Sequence, residues 1–355
     1  MHSLEAVPQR RDARRAPVPL VLAVLGPLAV VTAVVSIGFG AEPLPVGVVT
    51  DALQDRVLGR AGDPAYDAIV WDIRIPRTLL ALVVGAGLAI AGAGMQTLVR
   101  NPLADPYLLG VSSGASVGAT AVITMGVFAG AGLWALSSGA LAGALAAALL
   151  VFGIALLQGG LTPLRLVLTG TVLSSAFSSV AAFMVFRSAE PQAAQAVLFW
   201  LLGSLSGATW GQLWLPAVTV GVCFAVLLGC SGWLDALAVG PDTAAALGVP
   251  VRGLRIGLFV LLAVLVGVLV AVAGGIGFVG LVLPHVARLL VGPRHRVSLP
   301  TAALAGAVFL VWVDVAARVA VRPTEIPLSV VTGLVGAPVF LFLLGRRTYR
   351  FGGES

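Results

Sequence analysis

The residues with the most chemistry to offer lie inside or beside long apolar runs. Gly110-Val111-Ser112-Ser113-Gly114 has the spacing of a nucleophile elbow, and an intramembrane serine protease would pair such a serine with a histidine from another span, for which His285 is available. No oxyanion-hole element accompanies it and the serines sit in a run of small residues, so packing is the better reading of Ser112 and Ser113. Asp314 and Arg318, four residues apart, read as an ion pair on one helix surface near its outer end. Arg318 together with Arg74 and Arg77 would place three guanidinium groups around an outer mouth. Such groups pair in bidentate fashion with carboxylates, whether of an anionic ligand or of a docking protein. His2, His285 and His295 have no ligand spacing, and neither HExxH nor CxxC occurs, so no metal site is expected from this chain alone. Cys223 and Cys230 stand seven residues apart in one apolar run, about two helical turns, which is too far for a disulfide.

What the chain lacks is equally informative. All 21 basic residues are arginine, so there is no P-loop lysine for ATP phosphates and no Schiff-base lysine. If ATP drives this protein, another chain hydrolyses it. With 355 residues, 59% hydrophobic and 10% charged, the chain has too little polar surface for a soluble globule. The net charge of +6 is distributed at the ends of apolar runs, which reads as a topology signal and not as a nucleic-acid surface.

The elements that must position these residues are membrane helices. Apolar stretches near the ~20 residues needed to cross a bilayer run from about Val18 to Gly38, Thr78 to Val99, Tyr107 to Phe128, Leu133 to Leu157, Leu166 to Phe186, Leu213 to Cys230, Ile256 to Ala273, Phe278 to Val291, Thr301 to Ala320 and Leu328 to Leu344. The expected fold is therefore an all-α polytopic membrane protein of about ten spans, residues 18–345, with an Arg-rich tail at 1–17 and a short tail at 346–355. The first run, preceded by Arg10, Arg11, Arg14 and Arg15, is longer than the core of a signal peptide that would be cleaved near Ala41, so it reads as a retained span. Val197 to Leu205, with Trp200, reads as a half-helix or interfacial piece. Ten spans put both termini on one side. Fourteen arginines on that side, including Arg100, Arg165, Arg252, Arg255 and Arg288, against seven opposite, including Arg56, Arg187 and Arg322, make it the cytoplasmic one.

Several connections carry more signal than a hairpin needs. After Arg100, Asn101-Pro102 stop one helix, and Asp105-Pro106 supply a cap and first-turn proline for the next. Gly114 and Gly118, Gly126 and Gly130, and Gly139 and Gly143 have the four-residue spacing that lets helices touch. Gly274 to Gly280 suggests a tight turn between spans, and Pro284 a kink in the helix that carries His285 and Arg288. The polar segment Phe39 to Arg77 reads as an outside loop with Asp51, Asp55, Asp63, Asp67 and Asp72. In the inside segment 231–255, Leu234, Leu237 and Ala238 share one face. Asp242 is then placed to cap a second short helix that stops at Gly248. Such an amphipathic pair would suit docking of a soluble partner.

Taken in order, these stretches resemble the permease subunits of type II ABC importers, the FecCD family that takes up ferric siderophores, haem and vitamin B12. The likeness runs from about Trp71 to Leu344 and rests on Arg74-Ile75-Pro76-Arg77, Gly85 to Gln96, Arg100 to Ala115, Trp200 to Leu205, Gly240 with Ala244, Leu247 and Gly248, Ile276 to His285, and Gly336-Ala337-Pro338. Within it, Arg100, Asn101, Pro102, Asp105, Pro106, Gly280, Pro284 and His285 read as structural motif residues. The resemblance implies a permease that pairs with a second copy or paralogue, binds a cytoplasmic ATPase dimer that holds ATP and magnesium, and receives substrate from an extracytoplasmic binding protein. It implies ATPase coupling by Leu234, Asp235, Leu237, Gly240, Ala244, Leu247 and Gly248. It also implies binding-protein docking at Arg74, Arg77 and Arg318, and a cytoplasmic gate around Thr162 and Pro163. Asp235, Arg294 and Pro327-Leu328-Ser329 depart from the family's usual residues. The expected cargo is a ferric siderophore, with haem or cobalamin as alternatives, and an ATP-independent secondary transporter is the contrasting class.

Overall fold

The computed structural model describes residues 17–40, 42–60 and 62–345. The Arg-rich segment before residue 17, Ala41 at the expected processing point, and the tail 346–355 lie outside the described residues. From the N-terminal end, α1 (Val18–Ile37), α2 (Val46–Leu58) and α3 (Pro64–Asp67) lead through a π-helical stretch, Ala68–Arg74, into α4 (Ile75–Val99). Then follow α5 (Val111–Met125), α6 (Ala135–Leu157), α7 (Pro163–Arg187), α8 (Pro191–Leu201), α9 (Trp210–Gly229), α10 (Ser231–Val239) and α11 (Pro241–Ala246). The chain ends with α12 (Val251–Ala273), α13 (Val279–Val291), α14 (His295–Val319) and α15 (Leu328–Gly345).

The fold is an all-helical membrane bundle built around α4, whose residues from Val84 to Val99 are buried almost without interruption. Glycine explains how so many helices reach it. A methyl group added at Gly85 would strike the carbonyl of Gly306 on α14, and one added at Gly92 would strike the carbonyl of Gly280 on α13. Across α5 and α6, Gly114 faces Gly143 and Gly118 faces Gly139 in the same manner, as the spacing predicts. Gly126 and Gly130 do not take part. They lie in the turn after α5 with open space around them, because the helix ends at Met125.

Among the described residues, seven helices are long and apolar enough to cross a membrane: α1, α4, α6, α7, α9, α12 and α14. The other three expected spans correspond to the shorter apolar helices α5, α13 and α15. The expected span from Tyr107 begins instead with a 3-10 turn, Pro106–Leu109, and Gly110 at φ 72° separates that turn from α5. Asp105 Oδ1 accepts from the Tyr107 amide at 2.9 Å, so the cap is present but serves the short turn.

Two connections differ from expectation. Phe39 to Arg77 is not a loop: Asp63 caps α3 by accepting from Ala65 N at 2.9 Å, and Val49, Ala52, Val70 and Ile75 close a small apolar core with Ile37. The π stretch relaxes the clash that the Pro76 ring would otherwise make with the preceding turn. Gly274 to Phe278 is not a tight turn either but an extended re-entrant stretch, after which α13 begins beside Leu88 and Gly92 on α4. Extended backbone is tolerated at that depth only because its polar groups find partners within the protein.

Candidate functional site

At the α2 face, Arg74, Arg77 and Arg318 converge, but they do not point outward. Each is 4 to 6% exposed. Arg77 on α4 pairs with Asp314 on α14 (Nη2 to Oδ1, 2.8 Å) and makes a two-point contact with Glu325 at 2.7 and 2.9 Å. Arg318 shares Asp314 through Nε at 3.0 Å and donates to the Phe39 carbonyl at 2.8 Å. Arg74 donates to the carbonyls of Ile37 and Glu42, both at 2.6 Å. The expected surface pair of Asp314 and Arg318 is thus a buried network. The i, i+4 spacing located the pair on one helix face, but that face turns toward α4. Glu325, which the sequence reading did not single out, completes the network, and its side chain is 31% exposed. A lone acid in a loop gives no pattern by which to find it.

At the opposite face lie α10 and α11. Leu234, Leu237 and Ala244 are fully buried and seat the helix pair on the bundle, whereas Leu247 is 69% exposed and Val239, Trp233 and Ala238 are exposed as well. Ala236, not Ala238, completes the buried face. Gly240 is the N-cap of α11 and Pro241 its first residue, so Asp242 sits in the first turn without capping it. Gly248, at φ 78°, ends the turn after Leu247. Asp235 Oδ1 accepts from the His295 amide at 2.8 Å and lies 2.6 Å from its Nδ1, while His295 Nε2 is 2.7 Å from Thr97 Oγ1. This chain of contacts ties α10 to the start of α14 and the end of α4.

The two glycine- and proline-rich motifs meet inside the bundle. Pro106 packs on Gly280, and the Tyr107 hydroxyl donates to Ile276 O (3.0 Å) and accepts from Ile276 N (2.9 Å). Ser329 Oγ donates to Gly275 O at 2.7 Å and accepts from Gly277 N at 3.3 Å. Gln96 Nε2 donates to Leu281 O at 3.2 Å, and its oxygen receives Arg288 Nη2 at 2.5 Å. Pro284 and His285 are buried within α13. Arg100 ends α4 in a left-handed conformation at φ 54°, and Asn101 and Pro102 open the turn, with Asn101 Oδ1 accepting from Leu103 N. Ser112 and Ser113 lie in the first turn of α5, where Ser113 Oγ donates to Gly110 O at 2.9 Å.

Of the cavities that open along the bundle of described residues, two adjoin these motifs. One, of about 660 Å³, lies between α5, α6, α8 and α12, and its lining includes Gln192, Gln195, Phe199, Trp200, Ser204 and Gln212 but no charged residue. The other, of about 590 Å³, lies at the α10–α11 face beside the turn from α6 to α7. There Thr162 caps α7, whose first residue is Pro163.

A bundle of this helical plan, with a docking-sized helix pair on one face, is that of an importer permease. The pattern of the FecCD transport family matches residues 28–346, and the chain belongs to that family. It is 43% identical over 279 residues to the vitamin B12 import system permease protein BtuC of Salmonella typhimurium, covering 78% of this chain and 84% of that one. To the molybdate import system permease protein MolB of Haemophilus influenzae it is 36% identical over 322 residues, covering 91% and 94%. A solved inward-facing structure of a putative metal-chelate type ABC transporter superposes with a TM-score of 0.82 at 35% identity, over 93% of this chain and all of that one. The chain is a multi-pass membrane permease of the ABC importer class.

Proposed function

We propose that this permease carries a bulky metal chelate, cobalamin or a ferric siderophore, across the cytoplasmic membrane by alternating access. The uncharged lining of the larger cavity is the observation that carries the reading. Glutamines, serines and two aromatic rings suit a chelate whose metal charge is enclosed by its own ligand shell, whereas a bare oxyanion would need positive partners. The 43% identity to a vitamin B12 permease favours cobalamin, and the same lining accommodates a ferric siderophore. A second permease copy or paralogue completes the path, both termini face the cytoplasm, and an ATPase dimer with ATP and magnesium docks on α10 and α11.

Binding-protein docking belongs to the α2 face, where Glu325 is the exchangeable member of the arginine network. A carboxylate from the binding protein would displace Glu325 from Arg77. Glu325→Gln should then tighten docking by about fivefold, roughly the worth of one partly exposed ion pair. Uptake of radiolabelled cyanocobalamin and of a radiolabelled ferric siderophore into proteoliposomes, with ATPase and binding protein present and ATP inside, tests the whole reading. ATP-dependent accumulation of either cargo supports it, and transport without any ATPase removes it.

A further inference from the structure

We propose that Asp235 and His295 form a proton-sensitive latch that fastens α10 to α14 and α4 and so positions the helix pair for coupling. α14 begins at His295, and its N-cap residue, Arg294, makes no side-chain cap. The cap comes instead from another helix: Asp235 Oδ1 on α10 accepts from the His295 amide at 2.8 Å and lies 2.6 Å from the ring Nδ1. On the far side of the ring, Nε2 is 2.7 Å from Thr97 Oγ1 of α4, which in turn lies 2.9 Å from the Ala93 carbonyl. The other charge that acts on the ring is Arg288 of α13, whose Nη2 donates to Gln96 Oε1. Arg294 and Arg296 flank His295 along the chain and are exposed.

These distances suit two protonation states without moving a heavy atom. An ionised carboxylate only accepts, so Nδ1 carries a hydrogen in both. In the neutral ring Nε2 is bare and accepts from the Thr97 hydroxyl. In the imidazolium Nε2 donates to Thr97 Oγ1, and the hydroxyl hydrogen turns to the Ala93 carbonyl, an acceptor already in place. Protonation converts the contact with Asp235 from a hydrogen bond into an ion pair, which is the stronger tie. An imidazolium at the head of α14 opposes the helix dipole and Arg288, so it needs the α10 carboxylate beside it. Seating of α10 and protonation of His295 therefore favour each other. The Asp235 side chain is 37% exposed and that of His295 8%, so protons reach the latch from water at the α10–α11 face while the ring stays within the bundle. The latch is tighter while the ring is protonated and loosens as rising pH removes that proton.

The test reads the latch in the full-length permease alone, in neutral detergent. Hydrogen–deuterium exchange is measured at about pH 6 and about pH 8, either side of the ordinary histidine range, and corrected for intrinsic rates. Amides of α10 should exchange about fivefold more slowly at the lower pH, the worth of one strengthened contact. D235N keeps an oxygen for the His295 amide and ring but removes the charge, and T97V removes the acceptor for Nε2–H from the opposite side. Both should lose the difference, with the unfolding midpoint of D235N at the higher pH close to that of the unaltered protein. A difference that persists in either variant, or none in the unaltered protein, would overturn the latch. The role in coupling rests on the ATPase docking proposed above, so it is read separately, as ATP hydrolysis by the assembled transporter without cargo. The rate of D235N relative to the unaltered complex should rise from about one near pH 8 to about five near pH 6, because α10 then yields to the ATPase without moving α14 and α4. A level ratio beside an intact exchange difference would overturn the coupling role. Failure of the ATPase to co-purify with the unaltered permease would count against the docking and leave the exchange result to decide the latch.

Discussion

Asp314 holds two buried cations with one carboxylate, so its removal is costlier than the loss of either contact would suggest. Asp314→Asn leaves Arg77 and Arg318 without that charge in a low-dielectric setting, and the expected destabilisation is about 3–5 kcal/mol. Glu325→Gln, at a partly exposed position, should cost at most about 1 kcal/mol. Thermal unfolding of the two variants in one detergent distinguishes them. Arg74, Arg77 and Arg318 were legible in the sequence as a group, because all three fall on the side opposite the termini, which carries seven arginines against fourteen. Their burial was not, because spacing along a helix reports which side chains share a face and not what that face meets.

Among the elements, the junction of the Pro106 turn with the Gly274 to Phe278 stretch carries the most consequence per atom. Tyr107→Phe strips Ile276 of a donor and an acceptor at once, which should lower stability by about 1–3 kcal/mol and reduce uptake, both read from one purified preparation. Helix contact is equally strict where glycines face each other. Gly92→Ala should lower the yield of monodisperse protein after extraction, since its methyl group meets the Gly280 carbonyl, while Gly153→Ala on α6, in open space, should leave that yield intact. The sequence displayed these motifs separately: Asp105-Pro106 announced a cap, and the Gly274 run a break. Nothing in hydrophobic periodicity could say that the break re-enters the bundle or that its partner lies about 170 residues away, as the Tyr107 to Ile276 contacts show.

For the whole molecule, the face of α10 and α11 is where force would enter. Leu247→Glu should weaken co-purification of the ATPase severalfold without moving the permease's own unfolding midpoint, because Leu247 is exposed while Leu234, Leu237 and Ala244 hold the seat. The ten expected spans correspond to helices of the bundle, and among the described residues seven of these have the full length; α5 and α13 are shorter because they start within the bundle, which length alone could not reveal. Ser204 N donates to Ala273 O, and Leu328 N and Ser329 N donate to Gly203 O and Leu202 O, so the ends of α8 and α12 and the start of α15 are stitched by backbone contacts. Helices joined in this way cannot slide past one another without breaking main-chain bonds, so they turn as a single lever.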